Sequence, residues 1–289
     1  MKYRSKFIHS KPTLIVRIIF VSSFFLSSAI FIFSGFNLGA ESNAGSALIK
    51  EGDGFMAKRN LNGFEKALAK YKEALSKDPG NIDTMTKTAN ALVHIMRVKT
   101  NGNALKLDGS TQDDEKNKKI WKEYGEEAVK LSEKAFKERP NDCFTLNVYA
   151  ESYMYYSSSF GILKAIFKGA AGQYKDNSYA LIKNCPKLDD AVGDIYMGGF
   201  NIVAPWPMSD LDDARNHYNN ALKLAPQSVR SHYYVGIVAI KDEKYDLAKK
   251  SFTFTVENPC TKGPEHDYCG FLKEQAKKGL ALVEKKIKK

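Results

Sequence analysis

Three stretches of this chain share one spacing: a small residue, a second position four on, a small residue three further, and a proline five beyond that. The first reads Ala67, Tyr71, Ala74 and Pro79, and the second Ala214, Tyr218, Ala221 and Pro226. A third, Ala128, Ser132, Ala135 and Pro140, keeps the gaps but puts serine where the others have a ring. Steps of four and three put three side chains on one face of a helix. Alanine there admits a neighbouring helix, the ring fills the space between, and proline ends the helix. No alternating strand pattern competes over any length, so the fold class is all-α.

The signature resembles the second helix of the tetratricopeptide repeat (TPR) family. The resemblance implies a superhelical solenoid of about five helix pairs plus a C-terminal capping helix, over residues 45–289. A repeat that starts at Val229 has its small residue at Gly236, its alanine at Ala248 and its aromatic at Phe252, without a gap to about residue 260. The others are interrupted. The first helix after Pro79 begins near Ile82, with Met85, Ala89 and Leu92, but its partner's alanine arrives only at Ala128. Between them lies a polar, turn-rich insert with Asn101, Gly102, Asn103, Asp108, Gly109 and Ser110. Ser110 with Asp113, or Thr111 with Asp114, is expected to cap a lengthened helix whose apolar stripe is Ile120, Tyr124, Ala128, Leu131 and Ala135. A third first helix shows Leu146, Tyr149, Ala150 and Tyr153, with a weak partner at 173–184. In the fourth unit a short insert, Ala204-Pro205-Trp206-Pro207, precedes a helix starting at Asp210. The last helix, 265–287, has one apolar side and a lysine-rich back, as a terminal cap needs.

Over residues 120–260 the chain also resembles exported bacterial TPR proteins, among them the TPR component associated with TRAP-type solute transporters. Gly161-Ile162-Leu163-Lys164-Ala165, Gly198-Gly199-Phe200 and Ala204-Pro205-Trp206-Pro207 with Asp210, Ala214 and Ala221 carry that likeness. It implies an envelope transporter as a partner.

Residues 1–44 read as an export segment. Lys2, Arg4, Lys6, Lys11 and Arg17 precede an uncharged run of 23 residues from Ile18 to Ala40. Small-residue cleavage sites end at Ala40 and Ala44; the alternative is an uncleaved anchor, since the run is long enough to span a bilayer. Either reading places the repeats outside the cytoplasm, periplasmic or membrane-anchored. Four cysteines suit an oxidising compartment. In the repeat register Cys143 opens the first helix of a pair and Cys185 closes its second, so those ends lie side by side. Cys260 and Cys269 flank a short loop before the last helix. Cys143–Cys185 and Cys260–Cys269 are therefore the expected bridges, with free buried thiols as the alternative.

In a TPR stack the first helix of each pair lines the inner face. Mapped here, that face offers Asp83, Thr86, Asn90 and His94; Phe144, Asn147, Glu151 and Tyr155; Asp190, Gly193, Met197 and Asn201; Arg230, Tyr233, Ile237 and Lys241. Of these, Thr86, Asn90, Asn147, Glu151, Tyr155, Met197, Arg230, Tyr233 and Lys241 are the candidate groove residues, a set suited to an extended peptide. Trp206, between two prolines, is either a ring packed under a rigid loop or an aromatic anchor for a partner. Residues 160–167 are apolar for an outer loop and read as a packed helix, a lid or a lipid-contacting element.

The formal charge of +11 falls to +6 without the export segment's five basic residues, and lysines alternate with acids on helix faces. Nothing resembles a nucleic-acid motif. The five histidines are scattered and no catalytic, phosphate-loop or metal motif occurs, so neither an enzyme nor a cofactor is expected. The expected function is an exported scaffold that binds a protein or peptide in its concave groove. The alternative is an accessory solute- or ligand-binding component of an envelope transport system. An open groove favours the first; an apolar-lined pocket near Phe160, Ile166, Met197 and Trp206 favours the second.

Overall fold

The protein is described here from a computed structural model, which covers residues 38–260 and 263–288. The segment expected to direct export lies outside the described residues as far as Asn37; Leu38 to Ala44 already belong to the first helix. Twelve α-helices and no strand occur among the described residues. No described helix is long and apolar enough to cross a membrane.

Ten of the helices form five consecutive hairpins; the other two are a short helix within the third hairpin and a long closing helix. They are α1 (Leu38–Met56) with α2 (Leu61–Lys77), then α3 (Ile82–Lys99) with α4 (Glu115–Glu138). Next come α5 (Cys143–Ser158) with α7 (Ala170–Asn184), bridged by the one-and-a-half-turn α6 (Ile162–Phe167). Then α8 (Val192–Val203) pairs with α9 (Leu211–Leu224), α10 (Val229–Lys241) pairs with α11 (Tyr245–Glu257), and α12 (Cys269–Ile287) closes the stack.

The sequence starts these helices by one device. Asn60, Asn81, Asp114, Asp142, Asp210 and Ser228 each accept a hydrogen bond from the backbone N–H three residues on. For α4 the cap is Asp114 itself, not Ser110 or Thr111. The helix starts at Glu115 because Ser110 is engaged by Asp108 in a turn and Thr111 by Asp113.

The signature residues do what their spacing implies. Ala67, Ala74, Ala128, Ala135, Ala214 and Ala221 are all buried. The ring between each pair of alanines lies on a glycine of the preceding helix. A Cβ on Gly198 would stand 2.6 Å from Tyr218, and one on Gly236 2.5 Å from Phe252, so no larger residue fits without displacing the ring. Where Ser132 replaces the ring, its hydroxyl turns back on Ala128 O at 2.7 Å. The space is filled from elsewhere. Trp121, fully buried, packs with Leu92, Met96 and Tyr155 and donates to Thr100 Oγ1 at 2.9 Å. The buried stripe of α4 is accordingly Trp121, Gly125, Ala128, Ser132 and Ala135, while the expected Ile120, Tyr124 and Leu131 stand half-buried beside it.

Both expected disulfides are present. Cys143–Cys185 joins the ends of the α5–α7 hairpin, Cα atoms 5.8 Å apart, and Cys260–Cys269 closes the loop before α12 at 6.0 Å. The chain separations of 42 and 9 residues correspond to roughly 4 and about 2.6 kcal/mol of loop-closure entropy.

Candidate functional site

The residues expected to line an open groove are largely covered. Thr86, Asn147, Glu151, Tyr155, Met197, Arg230 and Tyr233 are buried, Asn90 is half-buried and Lys241 is exposed. The chain itself fills the concave face, from two directions.

The first filler is the insert between α3 and α4. After a 3-10 turn at Asn101–Asn103 it runs inward, burying Ala104 and Leu105 against α10. Tyr233 donates its hydroxyl to Leu105 O at 2.7 Å, Gln275 of α12 accepts from Leu107 N at 3.2 Å, and Lys241 reaches Asp108 O at 3.1 Å. Two predicted groove residues thus serve as anchors for the protein's own insert. The second filler is the 3-10 turn Pro264–Tyr268 ahead of α12. It folds back onto the first two hairpins: Tyr268 lies against Gly102, whose φ of 66° and lack of a side chain let the ring approach.

Asp267 ties that turn to α3. His94 Nδ1 is 2.5 Å from Asp267 Oδ2, Arg59 donates to Asp267 Oδ1 at 3.3 Å and to Gly263 O at 2.9 Å, and Arg97 Nη1 lies 3.8 Å from Asp267. Arg97 also donates from Nε and Nη2 to the two oxygens of Glu151 on α5. Burial weakens the Arg97 charge, but Glu151 outweighs burial and keeps the guanidinium firmly protonated. Burial also pushes the Asp267 carboxyl up, yet His94 and the two arginines outweigh it and hold Asp267 below the usual carboxylate range. Burial, with Arg97 beside it, pushes His94 below its ordinary 6.5. The imidazole is therefore neutral near pH 7, which assigns Nδ1–H as donor to Asp267.

Between the fillers and hairpins three and four a pocket of about 160 Å³ remains, room for on the order of ten waters. Its apolar lining comes from Ile166, Tyr174, Ile195, Phe200 and Tyr234, with Ala165, Ala170 and Ala171 of α6 and α7 on one side and Leu105 of the insert on another. Glu151, Tyr196, Arg230 and Tyr268 supply its polar groups. Glu151 is neutralised by Arg97. Arg230 is buried and donates from Nη2 to Asp189 O, while its Nε has no hydrogen-bond partner in the protein. Burial lowers the Arg230 pKa, but nearby Tyr268 and Glu265 outweigh it and raise the value overall, so the charge stays in place. Burial pushes the hydroxyls of Tyr196 and Tyr234 up, so both remain neutral donors.

Of the four residues expected beside a pocket, Ile166 lines this one, and Phe160, Met197 and Trp206 do not. Trp206 is 87 % exposed, so the ring is not packed under its loop. Reading from sequence passed over Arg97, Asp267, Ile195, Tyr196 and Tyr234 as site residues. Their signal was weak: an Arg and a Glu on adjacent first helices, and a run of aromatics inside helices already assigned to packing. Among the described residues no group of three or more His, Cys, Asp or Glu side chains could hold a metal ion.

Similar solved structures include TTC0263, a thermophilic TPR protein of Thermus thermophilus, at 13 % identity over 82 % of this chain and 100 % of that one, with a TM-score of 0.56. The pilF protein of Pseudomonas aeruginosa matches at 12 % identity over 86 % and 93 %, TM-score 0.49. YrrB, described as a TPR protein with an unusual peptide-binding site, matches at 15 % over 83 % and 96 %, TM-score 0.42. The chain therefore has the TPR fold: an all-α solenoid of helix pairs, here with its concave side occupied. No protein-family model and no curated protein matches it, so the resemblance to transporter-associated proteins is a proposal and not a finding.

Proposed function

We propose that this protein is an exported, non-enzymatic binding protein that holds a small, largely apolar molecule inside its TPR stack, as an accessory component of an envelope transport system. One observation carries the reading: the pocket is bounded by the two segments that fill the concave face. Leu105 and Tyr268, from those segments, share its lining with Ile195 and Phe200. The lining suits a ligand with a largely apolar body. The basic, apolar N-terminal run and the cysteine pairing support the export part of the reading.

The test is native mass spectrometry of gently purified protein, followed by extraction of the bound compound. A bound small molecule that disappears in Ala171→Trp, where an indole replaces a pocket-lining methyl, is the expected result. Protein that arrives empty, and binds nothing from an envelope extract, overturns the reading.

A protein partner is the second reading, favoured by the TPR fold itself, whose stacked helices present extended surfaces. With the inner face filled, such a partner would meet the outer helices α2, α4, α7, α9 and α11. Crosslinking with mass spectrometry in intact cells distinguishes the two, since it returns a repeated protein neighbour or none.

A further inference from the structure

Two exposed apolar segments flank the pocket, and we propose that together they dock the protein onto an anionic lipid bilayer. In α6, Leu163 is 61 % and Phe167 89 % exposed, although Ala165 and Ile166 between them face the pocket. In the α8–α9 connection, Trp206 and Met208 are exposed, and Val203 and Ala204 just before them line the same pocket. Solitary exposed apolar residues are ordinary; four large ones on two segments flanking one pocket are not.

The charge around them identifies the occupant. From Ser152 to Lys175 the chain holds Lys164, Lys168 and Lys175 and no acid. Lys168 lays its ammonium 4.1 Å from the centre of the Phe160 ring, and Lys175 lies 5.8 Å from that of Phe200, so both lysines run along apolar surface with their charge at its edge. On the Trp206 side Asp212 pairs with Arg215, while Asp210 caps α9 and Asp213 accepts from Asn201, so the cationic border lies on the α6 side. Apolar side chains bordered by lysines on the α6 side match the boundary between acyl chains and anionic headgroups, where an exposed tryptophan such as Trp206 is also favoured.

This goes beyond the pocket reading and stands without it. The chain has two tryptophans, Trp121 fully buried and Trp206 exposed, and none in the export segment, so Trp206 reports contact directly whatever the N-terminus does. The full chain is reconstituted into phosphatidylcholine vesicles carrying brominated acyl chains, with and without phosphatidylserine. The fluorescence of Trp206 is taken as the difference from Trp206→Phe. The expected result is a blue shift and bromine quenching of that difference signal with phosphatidylserine, weaker without it, and lost in Leu163→Ser/Phe167→Ser. Helicity of that double variant is checked by circular dichroism, and both sites are exposed, so folding is retained. A difference signal unquenched in both vesicles overturns the proposal, and so does quenching that persists in the double variant. A blue shift produced by added envelope proteins but not by vesicles also overturns it, in favour of a protein partner.

Discussion

At the scale of single residues, a methyl group sets how closely neighbouring hairpins stack. Ala221 is fully buried in the core shared by α9 and α10, with Tyr218 and Tyr233. Ala221→Trp has no cavity to enter, and overpacking costs about 1–3 kcal/mol or more. A clear fall in melting temperature is expected, and an unchanged one would show that the position does not face a neighbouring helix. The site's ionisable groups predict a pH response. His94 is held neutral, below its ordinary 6.5, so the unfolded chain binds the proton more readily than the folded one. Stability therefore falls as pH drops below about 6.5. Asp267, held below the carboxylate range, adds a second loss at more acid pH, as its own proton returns. Thermal melts from pH 8 to pH 5 should show the first loss, and His94→Gln should flatten it; a slope unchanged in that variant would refute the assignment. The alanines were legible because their spacing is local. The partners Arg97–Glu151 and His94–Asp267, 54 and 173 residues apart, were not, since no periodicity links an ion pair to its distant mate.

At the scale of elements, the helices and their hairpin pairing could be read from apolar period and proline stops, but the insert could not. Its composition, polar with Asn, Gly and Asp, is that of a surface loop. What turns it inward is two apolar residues, Ala104 and Leu105, and a tyrosine hydroxyl on a helix 128 residues away. Replacing residues 104–109 by glycine and serine should leave the helices intact and uncover Tyr233. Its hydroxyl would lose the Leu105 carbonyl, and the pocket would lose one wall. Faster hydrogen exchange in α10, without loss of helicity, checks this. The second filler depends on a covalent loop, since Cys260 and Cys269 enclose the turn that carries Asp267 and Tyr268. Cys260→Ser/Cys269→Ser should cost about 2.5–3 kcal/mol. Peptide mapping without reduction should recover the two cysteines joined, and alkylation of all four in native protein would exclude both bridges.

At the scale of the whole molecule, an ordinary solenoid carries only neighbour contacts, so disturbance at one end stays there. Here Arg59, ahead of α2, and His94 on α3 hold a turn some 200 residues on. Asp267→Ala removes the acceptor shared by His94, Arg97 and Arg59; Arg97 keeps Glu151 and Arg59 keeps Gly263 O, so what is lost is the tie from the turn to α3. Hydrogen exchange should then accelerate in α3 as well as in α12. An effect confined to residues beyond 263 would mean that the two ends are not coupled.

This closure bears on how such a protein changes over generations. Repeat proteins commonly grow or shrink by whole units, because an added hairpin meets the same neighbours as the one it copies. In this chain a duplicated hairpin would carry the Pro264–Tyr268 turn away from His94, Arg97 and Gly102, and would carry Tyr233 away from the insert that it anchors. The number of hairpins between α3 and α12 is thus fixed by this fit, and lineages of this architecture should vary in their loops while keeping that stretch free of insertions of whole hairpins.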